Sequence, residues 1–372
     1  MTIQLSRRSL IGTGTIGAAL VSGGEWAFAK TEEPSPVFGP ASDVALLSRN
    51  ENPYGPAPSA IQAMADTAGK GCYYADGDLR KLTAMIAERF SLSSDHVVVG
   101  SGSTEVLCAA ALAWGSKGTI LCPELFWDTT VKYGADKGGK VKRVALMADM
   151  SIDLDAMAAS VTPDVALVHI CNPNNPTGMV LDGDKLRDFV RKVGPKTTVL
   201  IDEAYMELTD NPEYSSVAAL VKEGQNVIVT RTFSKIFGMA GLRVGYALCS
   251  PHKAALLNTY LMSFGGNSAG LAAAIASYND TAFTGFSKNR IVEARGIMLE
   301  AIGKAGLEVL PSQTNFLFVK VPDADKVQKA FASKKIMIRG TYGKWNHWSR
   351  VSTGKIEDVK RYAAALPEAV TA

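Results

Sequence analysis

Five cysteines in 372 residues are too few for a disulfide-stapled fold, and their odd number leaves at least one unpaired. Cys122, Cys171 and Cys249 lie in or beside apolar runs, where cysteine acts as a small buried hydrophobe. Cys72 and Cys108 add no spacing typical of a zinc site or a redox pair, and no metal centre is expected. Charge of one sign is also scarce: 39 Lys and Arg against 36 Asp and Glu leave +3, which excludes nucleic acid or an anionic membrane as the main partner and points to a small molecule. No run approaches the roughly 20 apolar residues of a membrane span. Repeats, low-complexity tracts and an appended helix-turn-helix are missing too. What remains, 47% hydrophobic and 20% charged residues, is the composition of a folded globular chain long enough for two or three domains.

The start of the chain reads as an address. Ser6-Arg7-Arg8-Ser9-Leu10-Ile11 leads into a mild apolar run rich in Gly and Thr, and Ala27-Phe28-Ala29 offers a small-x-small cleavage site before Lys30. The paired arginines resemble a twin-arginine export signal, so residues 1–29 are expected to be a signal peptide and the protein to be periplasmic or otherwise exported. An amphipathic arm on a cytoplasmic protein is the alternative. Few cysteines suit a chain that folds in a reducing cytoplasm and is exported afterwards.

Residues 31–40 are polar and proline-containing. Beyond them, short β-branched runs at 97–100, 119–122, 141–146, 165–170, 198–202, 227–230 and 244–248 alternate with helical patterns, the signature of a mostly parallel sheet covered by helices. After a helix-rich stretch from Pro251 the order changes. Runs at 307–310, 315–319, 336–338 and 348–351, with a helix near 324–333, predict a smaller α+β domain.

The chemistry concentrates after the apolar runs. Lys235 sits among Thr232, Ser234 and small residues just past a buried strand, and Arg243 follows between Leu242 and Val244. Neither cation is placed as a solvated surface charge, so two cations and two hydroxyls on one loop suit an anionic ligand with an electrophilic carbon. Asn172-Pro173-Asn174-Asn175-Pro176-Thr177-Gly178 ends one apolar run and Asp202-Glu203-Ala204-Tyr205 another. In open α/β sheets such positions face the ligand crevice, so Asn175, Asp202, Tyr205 and Lys235 could converge there. Singly each has a plainer reading: Gly100–Gly102 as a tight turn, Asp202 as a helix cap, Arg350 as a surface ion pair, and Asn175 and Thr232 as turn residues.

Together, Asn50-Glu51-Asn52-Pro53-Tyr54-Gly55-Pro56, Gly100-Ser101-Gly102-Ser103-Thr104-Glu105, the Asn-Pro-Thr-Gly segment, Asp202–Tyr205 and Thr232–Lys235 with Arg243 resemble the class I/II, fold-type I pyridoxal-phosphate aminotransferases, in their histidinol-phosphate aminotransferase-like branch. The resemblance implies an α/β fold with a large cofactor-binding domain over 56–264, a small C-terminal domain over 265–372 and an arm of the small domain over 30–55. It implies pyridoxal 5'-phosphate as cofactor, with Lys235 forming the Schiff base and carrying the proton, Asp202 pairing with the pyridine nitrogen, and Asn175 and Tyr205 bonding the phenolic oxygen. Ser103, Thr104, Thr232, Ser234 and Arg243 would hold the phosphate at a helix start. Trp127 or Phe126 would stack on the ring, and Tyr74 would reach a neighbour's phosphate across a homodimer, although Ala75 replaces the usual proline after it. Asn52, Arg350 and Arg339 would bind substrate, Arg350 as the bidentate clamp on an α-carboxylate.

The implied reaction moves an α-amino group from an amino acid to a 2-oxo acid. A decarboxylase, lyase or cyclase using the same cofactor is the alternative, and a non-catalytic ligand sensor a further one. The segment Thr341-Tyr342-Gly343-Lys344-Trp345-Asn346-His347-Trp348 departs from the family pattern and leaves an aromatic-lined or cation-accepting pocket open. Glu105 and Glu203 read as structural residues and His169 as a satisfied core histidine.

Overall fold

The computed structural model describes residues 39–371, so the expected leader and most of the linker lie outside the described residues. Eleven strands occur among the described residues: β1 (Ala45–Leu46), β2 (Val97–Ser101), β3 (Thr119–Pro123), β4 (Lys140–Val144), β5 (Val165–Cys171), β6 (Thr198–Asp202), β7 (Val227–Thr232), β8 (Val244–Leu248), β9 (Phe316–Lys320), β10 (Ile336–Met337) and β11 (Trp348–Ser352). Seven form one sheet in the order β2-β8-β7-β6-β5-β3-β4. All its pairs are parallel except those of β8, which runs antiparallel to both β2 and β7.

The central strands are apolar along their length because both faces are covered. Val199 and Ile201 of β6 join one core with Leu186 and Phe189, while Leu200 between them joins a second core with Val106, Leu107 and Ile228. Burying each such side chain contributes about 1.5–3 kcal/mol. At the sheet edge β4 exposes Lys140, Lys142 and Arg143, charges that discourage a further strand from pairing.

The first four helices are α1 (Pro58–Ala68), α2 (Asp76–Arg89), α3 (Gly102–Gly115) and α4 (Thr129–Asp136). Pro58 opens α1 at a position where its missing N–H costs nothing. α3 follows β2 directly, turned by Gly102 at φ +74°. The C-terminal part has its own core of Leu317, Val319, Phe331 and Tyr362, to which Ala45 and Leu47 contribute. β9 and β11 pair antiparallel there, and β1 pairs with β10 in parallel.

Two expected strands differ. The run at 141–146 ends as a strand at Val144, because a turn follows in which Met147 N donates to Ser151 O and Met150 takes φ +66°. The run at 307–310 is extended but makes only a bridge between Val309 and Val319, since Pro311 has no N–H to continue the ladder.

Candidate active site

The C-terminal ends of β5, β6 and β7 and the start of α3 surround a cavity of about 160 Å³. Its walls include Ser103, Thr104, Trp127, Asn175, Asp202, Tyr205, Thr232, Ser234, Lys235 and Arg243, so residues spread over 140 positions of sequence share one space. The parallel register explains this: Cys171 stands opposite Asp202, and Asp202 opposite Thr230, so consecutive strand ends deliver their side chains to one rim.

On one side of the cavity is a cationic, hydroxyl-rich end. Arg243, in the left-handed region at φ +54°, donates Nη1 to Ala240 O at 2.9 Å and Nη2 to Ser101 O at 3.3 Å, and forms no ion pair among the described residues. Its guanidinium lies over Gly102, where a Cβ would come within 2.2 Å of Nη2. Thr232 Oγ1 donates to Ser234 Oγ at 2.9 Å and accepts from Ser234 N at 3.1 Å. β8 approaches so closely that a Cβ on Gly245 would sit 2.1 Å from Ser103 N. A helix N-terminus, a guanidinium and paired hydroxyls together make an oxyanion site.

At the opposite end is a buried carboxylate. Asp202 accepts from Thr230 Oγ1 at 3.1 Å, and burial pushes its pKa up to about 6. A carboxylate held this way is stabilised by a cationic partner. Lys235 lies between the two ends, its Nζ donating to Asn50 O at 3.2 Å. Burial, and next the charge of Arg350, lower its pKa to about 8, which raises the share of the nucleophilic free amine near neutrality.

A chain of hydrogen bonds links these groups to Arg350. Tyr205 OH accepts from Asn50 Nδ2 at 3.0 Å and Asn175 Nδ2 at 3.3 Å, leaving its own proton to donate. Arg350 Nη1 donates to Asn175 Oδ1 at 2.6 Å and Nη2 to Ser48 O at 2.7 Å, while its buried Nε has no partner. Burial lowers the Arg350 pKa from its ordinary value. Nη1 and Nη2 each keep a second N–H beyond these bonds, and Arg350 lines the cleft described next, so those N–H groups are its donors for an anion.

Arg350, Arg339, Asn175 and Trp127 also line an adjoining cleft of about 900 Å³ with Arg49, Tyr342 and Trp345. Arg339 is exposed there, its guanidinium 5.5 Å from the Tyr342 ring. Of the two aromatic candidates, Trp127 lines the cavity, whereas Phe126 is buried edge-on against His169 at 5.0 Å.

Asn52 departs from its expected role as a substrate ligand. It is buried and already engaged, with Nδ2 donating to Ile236 O at 2.8 Å and Ser287 Oγ at 3.0 Å and Oδ1 accepting from Tyr54 N, so it pins the arm. Tyr74 is 75% exposed and lines a neighbouring cavity that shares only Arg243 with the first. His169 is buried as expected but not satisfied: both ring nitrogens lack partners, and burial lowers its pKa to about 3. Glu203 accepts from Arg231 Nη2 at 2.8 Å, Ser216 Oγ and Val217 N, and Glu105 accepts from Ser101 N at 2.6 Å, both structural contacts. The residue that sequence reasoning passed over is Asn50. Its backbone O meets Lys235, its amide meets Tyr205, and its N and Oδ1 both bond Ser352 Oγ. Its place in the Asn50–Pro56 motif was the available signal.

The donor set fits pyridoxal 5'-phosphate, the group that the motifs imply: the oxyanion end suits its phosphate, Asp202 its ring nitrogen, the Tyr205 hydroxyl its phenolic oxygen and Lys235 its aldehyde. Among the described residues no cluster of His, Cys, Asp and Glu could hold a metal ion.

Comparison with known proteins agrees with this geometry. The family model described as aminotransferase class I and II matches residues 42–366. Histidinol-phosphate aminotransferase 2 of Ralstonia nicotianae is 36% identical over 339 residues, 89% of this chain and 90% of that protein. The histidinol-phosphate aminotransferase of Moorella thermoacetica is 32% identical over 330 residues, 88% of this chain and 85% of that protein. Among solved structures, histidinol-phosphate aminotransferase from Sinorhizobium meliloti in complex with pyridoxal-5'-phosphate superposes with a TM-score of 0.83 at 28% identity, covering 93% of this chain and 98% of that one.

Proposed function

This chain belongs to the class I and II aminotransferases, and within that family we propose that Lys235, Asp202, Tyr205 and Arg350 divide the work of moving an amino group from a donor to a 2-oxo acid. The protein is a pyridoxal-phosphate-dependent aminotransferase. The observation that carries the division of labour is the convergence of Lys235, Asp202 and Arg243 in one cavity at the strand ends.

When bound, the cofactor supplies an electron-accepting ring that stabilises negative charge at the substrate Cα. Lys235 holds the cofactor and then, as a free amine, takes up the Cα proton and gives it back. Asp202, short of a cationic partner in the protein, keeps a proton on the ring nitrogen. Tyr205, steadied by Asn50 and Asn175, donates its hydroxyl proton to the phenolic oxygen. Ser103, Thr104, Thr232, Ser234 and Arg243 would hold the phosphate, and Trp127 would pack against the ring. Arg350 orients the donor through its anionic group, which fixes the Cα–H bond as the one to break.

The relatives are named for histidinol phosphate, which carries a phosphate and a flat imidazole. In this chain Arg350, Arg339 and Arg49 with Trp127, Tyr342 and Trp345 suit a donor of that general kind, an amine with an anionic group and a planar or apolar side chain. Mixing holoenzyme with a donor panel tests this. Loss of the visible absorption of the Lys235-bound cofactor without release of CO2 or ammonia is the expected outcome. Release of either would refute aminotransfer.

A homodimer is part of the proposal. Tyr74 and Phe264, 75% and 69% exposed with rings 4.8 Å apart, stand beside the cavity that reaches Arg243, which supports contribution of Tyr74 to a neighbour's phosphate end. Sedimentation of wild type and Tyr74→Ala, with cofactor affinity measured in both, checks it. Export by the twin-arginine-type leader of residues 1–29 is likewise proposed, supported by five free cysteines. A leader-reporter fusion that stays in the cytoplasm would sink that.

A further inference from the structure

Tyr205 is buried on the wall of the cavity, its ring held edge-on by Phe316 at 5.1 Å, so what its hydroxyl can do depends on where the hydroxyl proton points. A phenol has one proton and two lone pairs. Both lone pairs are taken by amide nitrogens, Asn50 Nδ2 at 3.0 Å and Asn175 Nδ2 at 3.3 Å. Either amide turned over would present an oxygen instead, and the Tyr205 proton would be spent on it. The direction of that proton is therefore decided by whatever fixes the two amides.

Asn175 is fixed by a group that can only donate. Arg350 Nη1 reaches its Oδ1 at 2.6 Å, so the oxygen faces Arg350 and the nitrogen faces Tyr205. Asn50 is fixed by Ser352. The Asn50 backbone N–H donates to Ser352 Oγ at 2.9 Å, and the Ser352 proton goes on to Asn50 Oδ1 at 2.7 Å. With the amide reversed, that proton would have no acceptor among the described residues, and Ser352 and Asn50 are each only 1% exposed, where an unmet donor is costly. The Asn50 backbone is held as well, at φ +56° with its O accepting from Asn315 Nδ2 at 2.9 Å. Arg350 and Ser352 stand two apart on β11, and strand alternation puts both on one face. One strand face thus supplies a directing group for each amide.

We propose that Ser352 is a positioning residue for the reaction: through the Asn50 amide it makes the Tyr205 hydroxyl an obligate donor toward the cofactor's phenolic oxygen. The proposal rests on the aminotransferase reading above and adds a residue that does not line the cavity. Without the Ser352 hydroxyl the Asn50 amide can turn its oxygen to Tyr205, where it competes with the phenolic oxygen for the proton. Deleting the whole Asn50 side chain removes a donor but offers no rival acceptor. A relay of this kind is therefore damaged more at its far end than in its middle, which simple bracing would not produce.

The experiment titrates the visible absorption of the Lys235-bound cofactor with pH in the holoenzyme. A proton donated by Tyr205 draws negative charge off the phenolic oxygen and so lowers the proton affinity of the nitrogen beside it. In Ser352→Ala the midpoint should rise by about one pH unit, the worth of one hydrogen bond. Ser352→Thr, which keeps the hydroxyl, should restore the wild-type midpoint, and Ser352→Cys, with a weaker donor, should fall between. Asn50→Gly, which suits the left-handed backbone, should move the midpoint by less than half as much, and Ser352→Ala combined with Asn50→Gly should match Asn50→Gly alone. The charged and titratable groups that face the site, Asp202, Cys171, Lys235, Arg243, Arg350 and Glu51, are kept in every variant. A midpoint that stays put in Ser352→Ala and Ser352→Cys, or one that moves at least as far in Asn50→Gly, overturns the relay. If wild type gains no visible absorption when cofactor is added, it is the aminotransferase reading that fails.

Discussion

Replacing Arg350 by Met retains an apolar stem and removes the guanidinium that the cleft aims at its donor. Arg350 spends one N–H of Nη1 on Asn175 Oδ1 and one of Nη2 on Ser48 O, which leaves a second N–H on each. An anionic donor group would take the second N–H of each Nη, two charge-assisted hydrogen bonds of about 1.5–3 kcal/mol each. The lower figure for both gives about 3 kcal/mol, a loss of roughly 100-fold in kcat/KM. The assay compares an amino acid with the matching primary amine that lacks the carboxylate. Only the amino acid should lose rate in Arg350→Met, so the preference between the two should collapse by that factor. Because Arg350 also helps to lower the Lys235 pKa, the substitution should move that pKa upward from about 8. An equal loss for both donors, with the thermal midpoint unchanged, would refute a direct anion contact and leave Arg350 as a brace for Asn175.

Three other outcomes follow from the same structure. Cofactor uptake by cofactor-free protein should quicken with pH about a midpoint near 8, because burial lowers the Lys235 pKa; stopped-flow absorbance checks this, and a midpoint at the ordinary lysine value of about 10.4 would contradict it. Below its ordinary value of 6.5, His169 is protonated in the unfolded chain but stays neutral in the fold down to about 3, so stability falls as acid is added through that window. His169→Leu should abolish about 2 kcal/mol of that loss between pH 6.5 and about pH 5 in denaturant titrations, and stabilise the protein at pH 7 by removing two unpartnered polar atoms. Gly245→Ala should weaken cofactor binding at least tenfold in an equilibrium titration, since its Cβ would collide with Ser103 N and push the start of α3 away.

The sheet was legible because burial on both faces leaves little choice of residue: β6 and β8 have the boundaries that their apolar runs mark, and β5 and β7 extend one or two residues beyond theirs. The residues just past those strands were legible for the same reason, since topology carries them to one rim. Where reading failed, the cause was long-range. Nothing local tells Asn50 from Asn52, two asparagines in one motif; the first reaches Tyr205 and Lys235, and the second is consumed by Ile236 O and Ser287 Oγ, 184 and 235 positions away. His169 looks like any polar residue in a strand until its neighbours prove to include Phe126 and no acceptor. The partition between Trp127 and Phe126 is also set by the fold, because Phe126 is buried edge-on against His169 while its neighbour Trp127 stays partly exposed at the edge of the same core and lines the cavity.

Asn50 has a consequence for when activity arises. It is tied to Ser352 across 302 positions by two hydrogen bonds and to Lys235 across 185. Closing so long a loop is entropically slow compared with forming the local β-α units of the large sheet. A chain still emerging from the ribosome can therefore own a formed sheet, a placed Asp202 and a correctly turned Arg243, yet have Tyr205 and Lys235 without their Asn50 contacts. Full catalytic competence should therefore wait on β11, whose Ser352 holds Asn50 in place, so enzyme activity should report the completed fold rather than partial structure.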